Sequence, residues 1–386
     1  MEPLAATVYP NYDGIGRTIK EAIVGVLPFL DIVPVWMVAL VIMVVIAAAA
    51  VIFILCFEGV GSLILRKLAG DIQSRIGPNR VGPYGCIQFL ADGVKLILKE
   101  DLKPAACDRI LFRLAPYLAF VGSCAGLVVI PFSVGMIAAD LDIGIYYVMA
   151  VSSLVSIGVL LGGFASNNKY SLIGGMRAAA QIVSFEIPVA MALIPVILIA
   201  GTLSLQGIVR SQSGLFGIFG WNLFHNPFLF FSFFLYLTAG QAEANQTPFD
   251  LPECESELVQ GFMTEYSGIR FGYFFLGEFG EVFIVCALAS AGFLGGWNIP
   301  FFNADTLGWF WGNLLSCGVF LTKTFTLVLV SMWVRWTLPR TRVDQLMRMC
   351  WKYLVPLTFF NLLGVSLWLL AFDGKGIPAL IASFFG

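Results

Sequence analysis

Apolar residues run along this chain in long blocks, with short polar segments between them. Eight blocks approach the length needed to cross about 30 Å of hydrocarbon. They lie near 35–57, 114–134, 145–164, 186–206, 227–243, 269–296, 306–334 and 353–372, the fifth being the shortest. The pattern predicts an all-α integral membrane protein of about eight transmembrane helices. One stretch behaves differently. In 87–99, Gln88, Asp92, Lys95 and Lys99 share one helical face, and Ile87, Leu90, Val94 and Ile97 share another. Too short and too charged to span, it predicts an amphipathic helix lying in the membrane interface. It serves either as a plain surface helix or as one wall of a ligand entrance. Just before it, Gly77-Pro78 and Gly82-Pro83 predict a stiff double turn carrying Arg75 and Arg80. Those arginines either satisfy the bias of basic residues toward one membrane side or face an anionic partner.

Composition agrees with a bilayer as solvent. Of the 386 residues 59% are hydrophobic and 12% charged, against about a quarter charged in soluble domains. The 35 Phe and 9 Trp suit lipid-facing and interfacial positions. Net charge is −2, so distribution matters more than balance. Seventeen of the 22 Lys and Arg fall in four alternate loops, 58–113, 165–185, 244–268 with Arg270 at its exit, and 335–352. Four fall on the opposite side, and Lys323 sits inside the seventh span. This asymmetry supports eight spans, with both termini facing away from the cytoplasm or matrix. Residues 1–34 then lie on the periplasmic or intermembrane side. The acid after Met1 and the late first apolar run argue against a cleavable signal peptide. We read one membrane domain, 1–386, with no internal repeat.

The loop after the fifth span carries Glu243, Asp250, Glu253, Glu255, Glu257 and Glu265, with no basic residue, on the side that should be basic. Asp250 followed by Glu253 predicts a capping box and a short helix from Leu251. Charges inside apolar spans cost several kcal/mol unless paired, hydrated or functional. The candidates are Glu186, Glu243, Glu278, Glu281 and Lys323. Glu278 and Glu281, three residues apart, share a helical face. Two such carboxylates resist joint ionisation, which suits a proton relay. The competing reading is a structural ion pair, for instance Lys323 with a glutamate. The eight cysteines are scattered, with no CxxC pair, and read as small core residues. With one histidine, His225, and no glycine-rich phosphate loop, the chain has no evident metal or redox centre and no nucleic-acid signal.

At these motifs the chain resembles the H-subunit family (subunit 1 in mitochondria) of respiratory complex I, the NADH:quinone oxidoreductase. The resemblance rests on RIGPNRVGP (75–83), LADGVKLILKED (90–101), SNNKYSLIGGMRAAAQIVSFEIP (166–188) and AEANQTPFDLPECESELVQGFMTEYSGIRFG (242–272). It continues through GGW (295–297) and RWTLPRTRVDQLMRMCWKYLVP (335–356), covering about 60–360 in family order. It implies a tilted helix bundle forming the membrane side of a quinone chamber. Quinone would be the substrate, with no cofactor bound in this chain. The implied partners are peripheral-arm subunits carrying iron–sulfur clusters, small neighbouring membrane subunits and lipid. The implied location is the bacterial inner membrane, or the mitochondrial inner membrane if organellar. Glu186, Glu243 and Glu278 match carboxylates of a proton path, and Asp250, Glu253, Glu255 and Glu257 match a loop coupling quinone reduction to proton movement. Arg75 and Arg80 match the basic loop near the quinone entrance and partner interface. Arg340, Arg342 and Asp344 match a structural or interfacial loop. Three departures stand out: Leu65 where an acid is common, with Glu58 a helical repeat earlier; Glu281 where a neutral residue is common; and Gln246 in place of a common arginine. The equivalent subunit of a membrane-bound hydrogenase or a ferredoxin- or deazaflavin-dependent dehydrogenase is the alternative. A stand-alone channel or transporter would need a gate and usually a repeat, and neither is visible.

Overall fold

A computed structural model describes residues 35–213, 217–299, 309–372 and 376. The N-terminal segment 1–34 lies outside the described residues. By its contacts the chain divides at Leu55 into two units, and every site described below lies in the second, from Cys56 onward.

The described residues are all-α. The long helices are α1 (Val35–Ile72), α3 (Arg109–Gly126), α4 (Gly144–Ala165), α5 (Lys169–Ala200), α7 (Pro227–Glu243), α8 (Gly268–Phe293), α9 (Trp309–Thr337) and α11 (Val355–Ala371). Between them lie the amphipathic α2 (Gln88–Leu98), α6 (Leu205–Ser211) and α10 (Val343–Arg348), the last running through a π turn into α11. Among the described residues, seven spans are long and apolar enough to cross a membrane. The eighth expected one is α7, whose 17 residues reach only about 25 Å.

Local sequence fixes the ends. Asp108 caps α3 by accepting from the Ile110 and Leu111 amides at 3.0 and 3.4 Å. Asn168 accepts from the Tyr170 amide at 3.1 Å and starts α5 seventeen residues before the apolar block suggests. The polar residues Arg177, Gln181 and Glu186 are therefore inside the helix, and Glu186 is mid-helix rather than at its start. Gly201, at φ 66°, stops α5 in the left-handed conformation that glycine adopts freely. Asn226 and Pro227 start α7. The helix expected from Leu251 is displaced. It begins at Glu255 with no side-chain cap, because the Asp250 carboxylate is engaged by Arg340 at 3.0 Å.

The four alternate loops meet at one end of the second unit. Asp108 N donates to Ala165 O at 3.2 Å and Asn167 Nδ2 to Ala106 O at 3.2 Å. Asn168 Nδ2 donates to Glu265 Oε1 at 2.6 Å, and the Thr341 amide to Pro248 O at 3.0 Å. Ser267 Oγ donates to Glu100 O at 2.9 Å, tying the end of α2 to the start of α8. The other loops meet at the opposite end, where Ser133 and the Gly135 amide donate to Asn313, and Ser204 donates to Asp140.

At that opposite end, Lys323 of α9 pairs with no glutamate among the described residues. Its ammonium donates to Leu294 O, Gly296 O and Asn298 O at 2.8, 2.9 and 2.9 Å, over the Trp221 ring at 4.4 Å. A cation thus satisfies the carbonyl end of α8, where the helix dipole favours it.

Candidate functional site

The loop 244–267 is folded down onto α5 and α8 rather than left in solvent. Gln181 of α5, fully buried, donates from Nε2 to both Ala242 O and Phe249 O at 2.7 Å. Arg177 binds Glu257 at 2.7 Å on the surface. Gly261, at φ 53°, faces Gly174 of α5, and a Cβ on Gly261 would fall 1.7 Å from Pro252 O. Only glycine allows this approach. Phe262, Met263 and Tyr266 then enter the core beside Phe112, Ala119, Val155, Val159 and Phe274, with Tyr266 stacked on Phe112 at 4.1 Å.

At the edge of that core is a small cavity between α3, α4, the end of α7, the loop and α8. About 30 Å³ is open to the centres of water molecules, room for one or two waters. Apolar walls come from Ala119, Val155, Val159, Phe262, Met263 and Phe274. Four carboxylate residues line it: Glu243, Glu253, Glu278 and Glu281. All but Glu253 are at most 9% exposed as whole residues, and Glu253, half-buried, turns its carboxyl inward.

Each acid has its own surroundings. Glu243 Oε1 accepts from Ser152 Oγ at 3.2 Å, and the charge of Glu186, half-buried on α5, acts on it. Glu278 Oε1 accepts from Gln246 Nε2 at 2.6 Å and lies 3.4 Å from Arg335 of α9. Arg335 Nη1 also donates to Gln246 Oε1 at 2.6 Å. Glu278 Oε2 and Glu281 Oε1 are buried without a hydrogen-bond partner among the described residues, and the cavity beside them is large enough for water. Buried oxygens of that kind normally bind water or a proton. In the loop, burial pushes the Glu253 carboxyl well above the usual carboxylate range. The neighbouring Glu278 and Asp250 add to this, against the pull of Arg335 and Arg340. Glu58 of α1, half-buried, feels the Glu278 charge.

The sequence-selected residues thus separate into groups. Glu243, Glu253 and Glu278 converge on one cavity, with Glu186 and Asp250 adjoining it. Glu257 points outward to Arg177. Glu255 opens the short helix, and its side chain is not among the described ones. Arg75 and Arg80 lie elsewhere, on an exposed cleft with Arg66 and Gln88. Arg75 donates to Gln73 at 2.6 Å, and Arg66 pairs with Asp92 of α2 at 2.6 Å. Arg340 is not a loop residue alone, since it holds Asp250 beside the cavity.

Residues outside the sequence-selected set also belong to the site. In the sequence Arg335 is one basic loop residue among several, and Gln181 is one letter of a motif. Glu58 and Gln246, which stand out there only as departures from a family pattern, have places beside Glu278. Among the described residues no group of three or more His, Cys, Asp or Glu is arranged to hold a metal ion.

Comparison with known proteins agrees with this architecture. A family model described as NADH dehydrogenase matches residues 25–366. A protein of Anaeromyxobacter dehalogenans, named as the H subunit of NADH-quinone oxidoreductase, is 48% identical over 78% of this chain and 76% of its own length. Proteins of the same name from Geobacillus kaustophilus and Chlorobaculum tepidum are 47% and 43% identical. They match 80% and 79% of this chain and 88% and 86% of their own lengths. A match of this extent, on a chain with seven helices fit to cross a membrane among its described residues, shows that the protein belongs to the NADH dehydrogenase family, among relatives named as H subunits of NADH-quinone oxidoreductase.

Proposed function

We propose that this chain forms the membrane side of the quinone chamber in a proton-translocating NADH:quinone oxidoreductase and couples quinone reduction to proton movement. The observation that carries the reading is the convergence of Glu243, Glu253, Glu278 and Glu281 on one small, apolar-walled cavity. Reduction of a quinone to a quinol takes up two electrons and two protons. The electrons come from iron–sulfur clusters of partner subunits, and this chain handles protons. Close buried carboxylates cannot all ionise at once, so a proton gained at one site is felt by the others. The two arginines set against this group, Arg335 and Arg340, limit how much negative charge it needs to shed. Glu186 extends the row of acids from Glu243 into α5.

The quinone path is read from α2. Its apolar face, Ile87, Leu90, Val94, Ile97 and Leu98, is 45–79% exposed. With Lys95 and Lys99 most of it forms one open, nearly flat surface. That supports an interfacial helix beside which a lipid-soluble quinone enters. The basic cleft with Arg75 and Arg80 suits an anionic partner surface of the peripheral arm. The chain would sit in the bacterial inner membrane, or the mitochondrial one if organellar, as one membrane domain with both termini away from the cytoplasm or matrix. The relatives' names favour the quinone branch over a hydrogenase or ferredoxin-dependent relative.

Glu243→Gln tests this directly. The variant should insert and assemble, with NADH oxidation by an artificial acceptor unchanged. Quinone-linked turnover should fall about a hundredfold or more, the usual scale for losing a positioned proton-transfer group. Wild-type quinone-linked turnover would remove Glu243 from the path.

A further inference from the structure

Gln246 bridges two charged groups whose own hydrogen bond is long. Arg335 and Glu278 are 3.4 Å apart at their closest, beyond a good charged hydrogen bond. Gln246 makes 2.6 Å bonds to each, accepting from Arg335 through Oε1 and donating to Glu278 through Nε2. An amide suits this work because it offers an acceptor and a donor on one rigid plane. Gln246 is itself 3% exposed and sits at the turn where α7 gives way to the acidic loop. The loop's placement and the Glu278 carboxyl are therefore linked by one side chain.

We propose that Gln246 and Arg335 are positioning residues for Glu278: the amide carries the guanidinium's influence to the carboxylate and fixes one of its oxygens, leaving the other turned to the cavity. This inference rests on the proton-handling reading above. The groups facing Glu278 are Arg335 from α9, Gln246, Asp250 and Glu253 from the loop, and Glu58 from α1, with Glu281 on its own helix. Among them only Arg335 is cationic and within 4 Å. Removing the bridge leaves the carboxylate with one donor fewer and a weaker tie to its cation.

The test compares Gln246→Met, which keeps volume and removes both polar atoms, with Gln246→Arg, which keeps a donor toward Glu278, adds a positive charge and has no acceptor for Arg335. Both are assayed in the assembled enzyme in native membranes. In Gln246→Met, quinone-linked turnover should fall about tenfold. Its pH profile should move about one unit toward higher pH, because donors to a carboxylate favour its charged form. In Gln246→Arg the added cation favours the ionised Glu278, so its profile should move to lower pH than the wild type's, and a shift in the same direction as Gln246→Met would overturn the inference. A profile in Gln246→Met identical to wild type would overturn the inference and reduce Gln246 to a packing residue. Should Gln246→Met not assemble, Arg335→Lys serves instead, since an ammonium lacks the planar fork that reaches the amide. The same shift is expected there, and an unmoved profile overturns the inference equally. Glu278→Gln separates the two levels. Full turnover in that variant sinks the proton-handling reading itself, whereas lost turnover there beside an unmoved Gln246→Met profile sinks the bridge alone.

Discussion

Glu253 shows how a loop residue acquires unusual chemistry from its neighbours. It is an ordinary acid in sequence, yet it ends beside Glu278 and Asp250, with Arg335 and Arg340 across from it. Its raised affinity for a proton in the folded state has a definite sign. A carboxyl that titrates near pH 4.3 when unfolded and higher when folded makes the native state bind more protons. Stability is then greatest below the unfolded value and falls as pH rises toward the folded one. Glu253→Gln removes that dependence. The melting temperature of the extracted assembly, Glu253→Gln minus wild type, should therefore increase from pH 5.5 to pH 8. A difference that stays constant or shrinks would show that Glu253 is not held protonated. At this scale the acids are legible in the sequence, because charge in an apolar chain is conspicuous. Their partners are not. Arg335 looks like any basic residue at a span end, and Gln181 and Gln246 carry no charge to draw notice. Only the fold shows that Gln181 holds Ala242 and Phe249 while Gln246 holds Glu278.

Among elements, α8 is the one on which the site depends. It supplies Glu278 and Glu281, and most of its residues are buried. Its first turn is tied to α2 through Ser267, and its carbonyl end is held by Lys323. Mid-helix approach is close as well, since a Cβ on Gly240 of α7 would fall 2.4 Å from Val285. The Lys323 bonds are charge-assisted, each worth about 1.5–3 kcal/mol. Lys323→Met should lower the melting temperature of the assembly markedly, while Lys323→Arg, which keeps a cationic donor, should lower it less. Equal melting of Lys323→Met and wild type would contradict the anchoring role. The spans and α2 are legible as elements because hydropathy and helical spacing encode them directly. The start of α5 and the acidic loop's short helix are not. At α5 the polar residues 169–186 mask a helix that the local Asn168 cap starts, and in the loop the Asp250–Glu253 spacing is overridden by a tertiary partner. Gln181 is buried by the loop it binds, and Asp250 is taken by Arg340.

For the whole molecule, the charge asymmetry and the fold describe the same thing. The four alternate loops, three of them basic and one acidic, are joined to each other at one end. That end carries the carboxylate cavity, the basic cleft of Arg75 and Arg80, and the open apolar face of α2. A surface with so many unmatched features fits a chain that works only within an assembly. The central claim is tested most directly by extracting this chain from its membrane in mild detergent, separating complexes natively, and identifying every protein that migrates with it. The account predicts one large assembly containing an NADH-oxidising arm and showing inhibitor-sensitive quinone reduction. A lone chain, a simple homo-oligomer, or an assembly carrying a hydrogenase module in place of that arm would contradict it.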